Sequence, residues 1–186
     1  MTASRRQFLA LLTGALASPA FAEESESRPA AYAFSFKGLA GEGIALSAYT
    51  GKPILVVNVA SLCGYTPQYT GLQELWTRYR ERGLMILGVP SNDFFQEPGA
   101  AAEIEATAHQ YKVDFPLTEK ASVKGASAHP FYKWAALEKP LDTPRWNFHK
   151  YLVGDDGHIA AAFNTKIEPL DARIIAAIEK ELGKGA

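Results

Sequence analysis

The chain has 186 residues, 47% hydrophobic and 21% charged, enough for one globular domain with a full core. Nineteen lysines and arginines stand against 20 aspartates and glutamates, for a net charge of −1 with no basic run, which speaks against a nucleic-acid-binding surface. The single cysteine, Cys63, excludes an internal disulfide and any Cys-x-x-Cys redox pair.

The first 22 residues read as an export signal. Arg5-Arg6 precedes the apolar stretch Phe8 to Leu16, and Ala20-Phe21-Ala22 has the small-x-small pattern of a cleavage site. The arginine pair followed by Gln-Phe-Leu resembles a twin-arginine signal, which implies a periplasmic protein without a membrane anchor. These residues carry two arginines and no acid, so the mature chain has 17 basic and 20 acidic residues, net −3. Residues 23–31 read as a flexible lead-in, and 32–186 as one domain.

Tyr32 to Phe36 alternates strictly and predicts a strand, with Ile44 to Leu46 as its partner across the glycines at 38, 41 and 43. Ile54-Leu55-Val56-Val57 opens a buried strand over 54–59. Thr66 as N-cap and Pro67 at the first helical position predict a helix over 67–81, with Leu72, Leu75, Trp76 and Tyr79 on one face and Arg82-Gly83 as the stop. Leu84 to Val89 predicts a second buried strand. Gly99 to Tyr111 predicts a helix facing the core through Ile104 and Ala108, Phe115 to Leu117 a short extended piece, and Pro130 to Leu137 a short helix. Phe148 to Val153 and Ile159 to Phe163 predict a hairpin around Gly154-Asp155-Asp156-Gly157, followed by a closing helix from Leu170 to Leu182. This order predicts an α/β fold of thioredoxin-like type, a mixed central sheet flanked by helices, with the hairpin as its antiparallel edge.

Cys63 therefore falls in the turn between a buried strand and a helix N-terminus. Unpaired N–H groups and the positive end of the helix dipole favour an anion there, and the thiolate is the nucleophilic form of cysteine. Two further stretches, Pro90 to Gly99 and Pro144 to Phe148, are dense in polar and aromatic residues. Both reach the same sheet edge as Cys63 if the strand from Phe148 runs antiparallel to its neighbour. The histidines at 109, 129, 149 and 158 lack metal-ligand spacing and read as surface or turn residues. Arg145, Lys150 and Lys166 read as solvated surface charge, with contact to an anionic thiol as the alternative.

Asn58-Val-Ala-Ser-Leu-Cys-Gly-Tyr-Thr66, Asn92-Asp-Phe94 with Gln96-Glu-Pro-Gly99, His129-Pro-Phe-Tyr132 and Trp146-Asn-Phe-His-Lys-Tyr-Leu-Val153 together resemble the glutathione peroxidase family, over about Phe34 to Leu182. The resemblance implies a thiol-dependent peroxidase that reduces hydrogen peroxide and organic or lipid hydroperoxides. Its catalytic residues would be Cys63, Gln96, Trp146 and Asn147, with no cofactor beyond a thiol reductant, glutathione or a thioredoxin-like protein. Three departures accompany it. The nucleophile is cysteine where selenocysteine is frequent. The loop before Gln96 is one residue short and has Asp93 where glutamine is common. No resolving cysteine lies near Thr107 to Tyr111, so an external thiol must resolve the Cys63 sulfenic acid. The short segment from Leu137 to Pro144 resembles the monomeric branch. The alternatives are a non-catalytic envelope redox sensor and a thiol–disulfide oxidoreductase.

Overall fold

The structure, a computed structural model, describes residues 30–184; the segments expected to be an export signal (1–22) and, for the most part, a lead-in (23–31) lie outside the described residues. In chain order the elements are β1 (Ser35–Lys37), β2 (Gly43–Ala45), β3 (Ile54–Val59), α1 (Gln68–Tyr79), β4 (Met85–Pro90), α2 (Ala101–Gln110), α3 (Pro130–Glu138), β5 (Lys150–Val153), β6 (Ile159–Phe163) and α4 (Ala172–Leu182). The two apolar runs become β3 and β4, buried at every position and paired in parallel from Ile54 opposite Met85 to Val59 opposite Pro90. β5 pairs antiparallel with β3 on its other side, and β6 pairs antiparallel with β5, giving the order β4-β3-β5-β6.

The sheet divides the core in two because successive strand residues point to opposite faces. Ile54, Val56, Tyr151 and Val153 pack with Phe131, Tyr132 and Trp134 of α3 and with Phe36 of β1. Leu55, Val57 and Leu152 pack with Leu72 and Leu75 of α1, Ile104 and Ala108 of α2, and Ile174 and Ile178 of α4. Helices thus cover both faces of a mixed sheet, as the sequence predicts. The extended piece at Leu117 bridges Gly88 in parallel, and the adjoining Thr118 bridges Gly38, tying the β1–β2 ribbon to the sheet.

Four expectations need correction. Ala31–Ala33 form a 3₁₀ turn, so the first strand begins only at Ser35; the Ala31 N–H reaches the Gly157 carbonyl and the Tyr32 hydroxyl donates to the Asp155 carbonyl, anchoring the turn to the far hairpin. Thr66 does not cap α1, because its hydroxyl is engaged within the Cys63 loop. His149 and Lys150 are buried, since Lys150 opens β5, which lies inside the sheet between β3 and β6, and His149 immediately precedes it. Gly83, by contrast, terminates the α1 segment in the left-handed conformation (φ 105°) that glycine adopts without strain, as expected.

Candidate active site

β3 ends at Val59 and delivers the chain into a tight turn carrying Cys63. The Thr66 hydroxyl accepts from the Cys63 N–H (3.1 Å) and has the carbonyls of Cys63 (2.7 Å) and Ala60 (2.8 Å) within reach of its single proton, closing the turn. Cys63 is only 7% exposed, and its Sγ accepts the Tyr65 N–H at 3.4 Å. A main-chain donor is thus aimed at the sulfur.

The loop after β4 is bound to this turn at two points. Leu62 N–H donates to the Gln96 carbonyl (3.0 Å). One carboxylate oxygen of Glu97 accepts both the Ser61 N–H (2.7 Å) and the Ser61 hydroxyl (2.9 Å). Glu97 is fully buried, and desolvation raises its pKa against the lowering effect of the Ser61 bonds. The departure at Asp93 also has a local reason. Its carboxylate accepts from the Ser122 hydroxyl and from the N–H groups of Val123 (2.6 Å) and Lys124 (3.1 Å), stapling the shortened loop to the 122–124 segment.

The third stretch arrives through Asn58. Its amide donates to the Trp146 carbonyl (3.1 Å) and its Oδ1 accepts the His149 N–H (3.0 Å), while its own carbonyl takes the Phe148 N–H (2.6 Å). Phe148 adopts φ 61°, a strained conformation for a bulky residue, which these bonds over-determine. The antiparallel β3–β5 pairing brings this segment to the Cys63 edge. Asn147 is fully buried and donates from Nδ2 to Gln96 Oε1 (2.9 Å), while its Oδ1 has no partner. Trp146, 40% exposed, packs its ring on Phe94 at 5.5 Å between centroids.

Gln96 and Asn147 are thus in direct contact, 51 positions apart in the chain, and the Gln96 backbone is bonded beside Cys63. Among the described residues neither they nor Trp146 donates directly to Sγ; Tyr65 N–H is its donor. Sequence reasoning missed three groups that hold this arrangement: Asn58, Thr66 as a turn clasp, and Glu97. Each lies inside a quoted motif. The available signal was a polar residue at a strand end or beside a candidate catalytic residue.

Beside the turn opens a cleft of about 760 Å³, with Tyr65 and Trp146 on the Cys63 side and Leu141, Arg145, His149 and Lys166 among its walls. Cys63 itself does not line it. Arg145 and Lys166 are exposed, with no ion-pair partner among the described residues. Lys150 does not belong with them. Its ammonium is buried and donates to Gln68 Oε1 (2.7 Å) and to the carbonyls of Phe148 (2.7 Å) and Ile167 (2.9 Å). Burial lowers its pKa to about 7, opposed by Glu168. His149, read from sequence as a surface or turn residue, is buried with Nε2 unpartnered, and desolvation lowers its pKa to about 4.

The family model described as glutathione peroxidase matches residues 31–136. The chain belongs to the glutathione peroxidase family. A glutathione peroxidase-like peroxiredoxin of Chlamydomonas reinhardtii is 41% identical over 84% of this chain and 98% of its own length. A hydroperoxy fatty acid reductase of Synechocystis is 45% identical over 80% of this chain and 97% of its own. Among solved structures, the apo form of Trgpx superposes with a TM-score of 0.69 at 32% identity, covering 84% of this chain and 97% of that one. As in other glutathione peroxidases, the fold is thioredoxin-like, and the activity is that of a thiol-dependent peroxidase acting on hydroperoxides.

Proposed function

We propose that Cys63 is the peroxide-reacting nucleophile and that Trp146, Asn147 and Gln96 supply the surrounding donors. The observation carrying this reading is the convergence of three separate chain segments on one turn, with Asn147 bonded to Gln96 and the Gln96 backbone bonded beside Cys63. The Cys63 thiolate attacks a peroxide oxygen. An S–O bond forms as the O–O bond breaks, and the leaving alkoxide or hydroxide takes a proton. Amide and indole N–H groups suit that developing oxyanion, because they donate without ionising at neutral pH.

An external thiol then attacks the sulfenic sulfur, releasing water and leaving a mixed disulfide. A second thiol regenerates Cys63 and departs as the oxidised disulfide. In this scheme the two electrons come from the thiol pair, and no resident cofactor takes part. We assign the thiol to the cleft beside Tyr65 and Trp146, where the exposed cations Arg145 and Lys166 suit an anionic thiol such as glutathione. A thioredoxin-like protein is the second reductant class. The enzyme is monomeric and periplasmic in this reading, supported by the short 137–144 segment and the twin-arginine-like residues 1–22. Among the described residues, no helix is long and apolar enough to cross a membrane.

The test is peroxide consumption by residues 23–186 with glutathione or a thioredoxin-like protein. Repeated turnover that vanishes in Cys63→Ser supports the reading. A single stoichiometric burst with either reductant would instead identify a sensor.

A further inference from the structure

Six large apolar side chains stand exposed among the described residues, and four of them, Leu62, Phe95, Leu141 and Trp146, lie around the turn and its adjoining cleft. Single exposed hydrophobics are ordinary, but a cluster at one edge marks a surface that apolar matter covers. Phe95 is the most extreme, at 90% exposed.

Nothing inside the fold accounts for Phe95. Its backbone sits at φ 61°, in the left-handed region that disfavours a bulky residue and that glycine would occupy without strain. Its N–H closes a turn onto the Asn92 carbonyl at 2.9 Å, which any residue could do. Its ring makes no aromatic contact among the described residues. The neighbouring Phe94 is buried, its ring tilted against that of Trp146, with Lys124 Nζ 4.4 Å from its ring centroid. The loop therefore commits one phenyl group to the core and holds the next in solvent at a conformational cost. Strain retained at a site of this kind marks a use outside the fold.

The position of Phe95 defines that use. It immediately precedes Gln96, whose carbonyl receives the Leu62 N–H at 3.0 Å. Leu62, 67% exposed, immediately precedes Cys63. The two apolar side chains thus come from the two backbones joined at the rim of the Cys63 turn.

We infer that Leu62 and Phe95 form an apolar lip that selects hydroperoxides by the hydrocarbon chain attached to the –OOH group. The inference rests on Cys63 being the reacting sulfur. A peroxide oxygen that reaches Sγ brings its substituent across the lip. Hydrogen peroxide has no substituent and gains nothing there, whereas a linear alkyl chain covers Phe95 and Leu62 and loses its own hydration. The reaction is unchanged: an S–O bond forms, the O–O bond breaks, and the alcohol leaves. Only the free energy of bringing the peroxide to the sulfur differs between substrates.

The experiment measures the second-order rate constant for a single oxidation of the reduced protein, without reductant. The probes are hydrogen peroxide and linear alkyl hydroperoxides of increasing length, below their aggregation limit. In the wild type the rate constant relative to hydrogen peroxide rises with chain length. Phe95→Gly, which relaxes the backbone and so preserves the loop, lowers the long-chain ratio about tenfold, the effect of covering on the order of 50 Å² of apolar surface. Phe95→Leu keeps the ratio within about threefold of the wild type, because an apolar side chain remains. An unchanged ratio in Phe95→Gly overturns the inference, as does an equal fall for short and long chains. If the ratio holds while reduction by a thioredoxin-like protein slows, the lip docks the reductant and the inference is wrong. Failure of the underlying reading looks different: Cys63→Ser then still consumes hydrogen peroxide.

Discussion

Lys150 converts the buried architecture behind the site into a measurable pH dependence. Its ammonium sits in the core beneath α1, held by Gln68 Oε1 and by the Phe148 and Ile167 carbonyls, with no carboxylate bonded to it. Burial lowers its pKa from 10.5 to about 7, so through the window from about pH 7 to 10 the unfolded chain binds more protons than the folded one. Stability therefore rises with pH there, by up to about 1.4 kcal/mol per pH unit, and is lowest below the folded pKa, where the buried group is charged. Above about pH 10 the buried tyrosines oppose the trend, because burial raises the pKa values of Tyr69, Tyr132 and Tyr151. His149 titrates well below the window. Lys150→Met removes the slope; at pH 9.5 the wild-type group is a neutral amine with two N–H donors, so the variant newly unpairs two acceptors, a loss of about 3 kcal/mol. As pH falls to 6.5 the wild type takes on the desolvated charge, and the two proteins converge to within about 1 kcal/mol. Urea midpoints measured across pH 6.5 to 9.5 give the answer directly. A wild-type stability that is flat or falling over this range, or a slope that survives in Lys150→Met, refutes the reasoning.

Two further outcomes follow from the geometry of the site. Glu97→Gln keeps an acceptor for both Ser61 donors and stays as stable as the wild type at pH 7, whereas Glu97→Ala loses about 2–3 kcal/mol and slows Cys63 oxidation at least about tenfold. The raised Glu97 pKa adds a sign: protonation favours the fold, so this group's contribution is full below its unfolded pKa and is lost as pH rises through its folded one. Equal behaviour of the Gln and Ala variants in denaturant titrations and stopped-flow oxidation would contradict the clasp. Replacing Arg145 and Lys166 together with serine slows reduction by glutathione about tenfold relative to oxidation by peroxide, and weakens the salt dependence of the reduction step. An unaltered ratio of the two rates removes the thiol from that cleft.

Much of the fold is legible from local pattern because its central elements carry strong, local signals. The apolar runs at 54–59 and 84–89 read as buried strands, and the Gly154–Gly157 turn makes a hairpin of what flanks it. The errors lie where long-range pairing overrides local chemistry. Alternation at Tyr32 to Phe36 is a good strand signal, but tethering to the 154–157 turn bends its first residues into a 3₁₀ turn. His149 and Lys150 read as solvated because histidine and lysine usually are. Their burial follows from β5 lying between two strands, with acceptors for Lys150 supplied by Gln68, 82 positions away, and by Ile167. The same holds at the site. The family resemblance nominates Cys63, Gln96, Trp146 and Asn147, but the bracing by Asn58, Thr66 and Glu97 appears only once three segments are folded together.

The account rests on Cys63 as the atom that meets the peroxide, and intact-protein mass measurement tests this most directly. Reduced protein treated with one equivalent of hydrogen peroxide and a sulfenic-acid-trapping dione is expected to gain one trap adduct, located on Cys63 by fragmentation and absent from Cys63→Ser. Peroxide consumption in which Cys63 remains an unmodified thiol, or which persists in Cys63→Ser, would contradict the account.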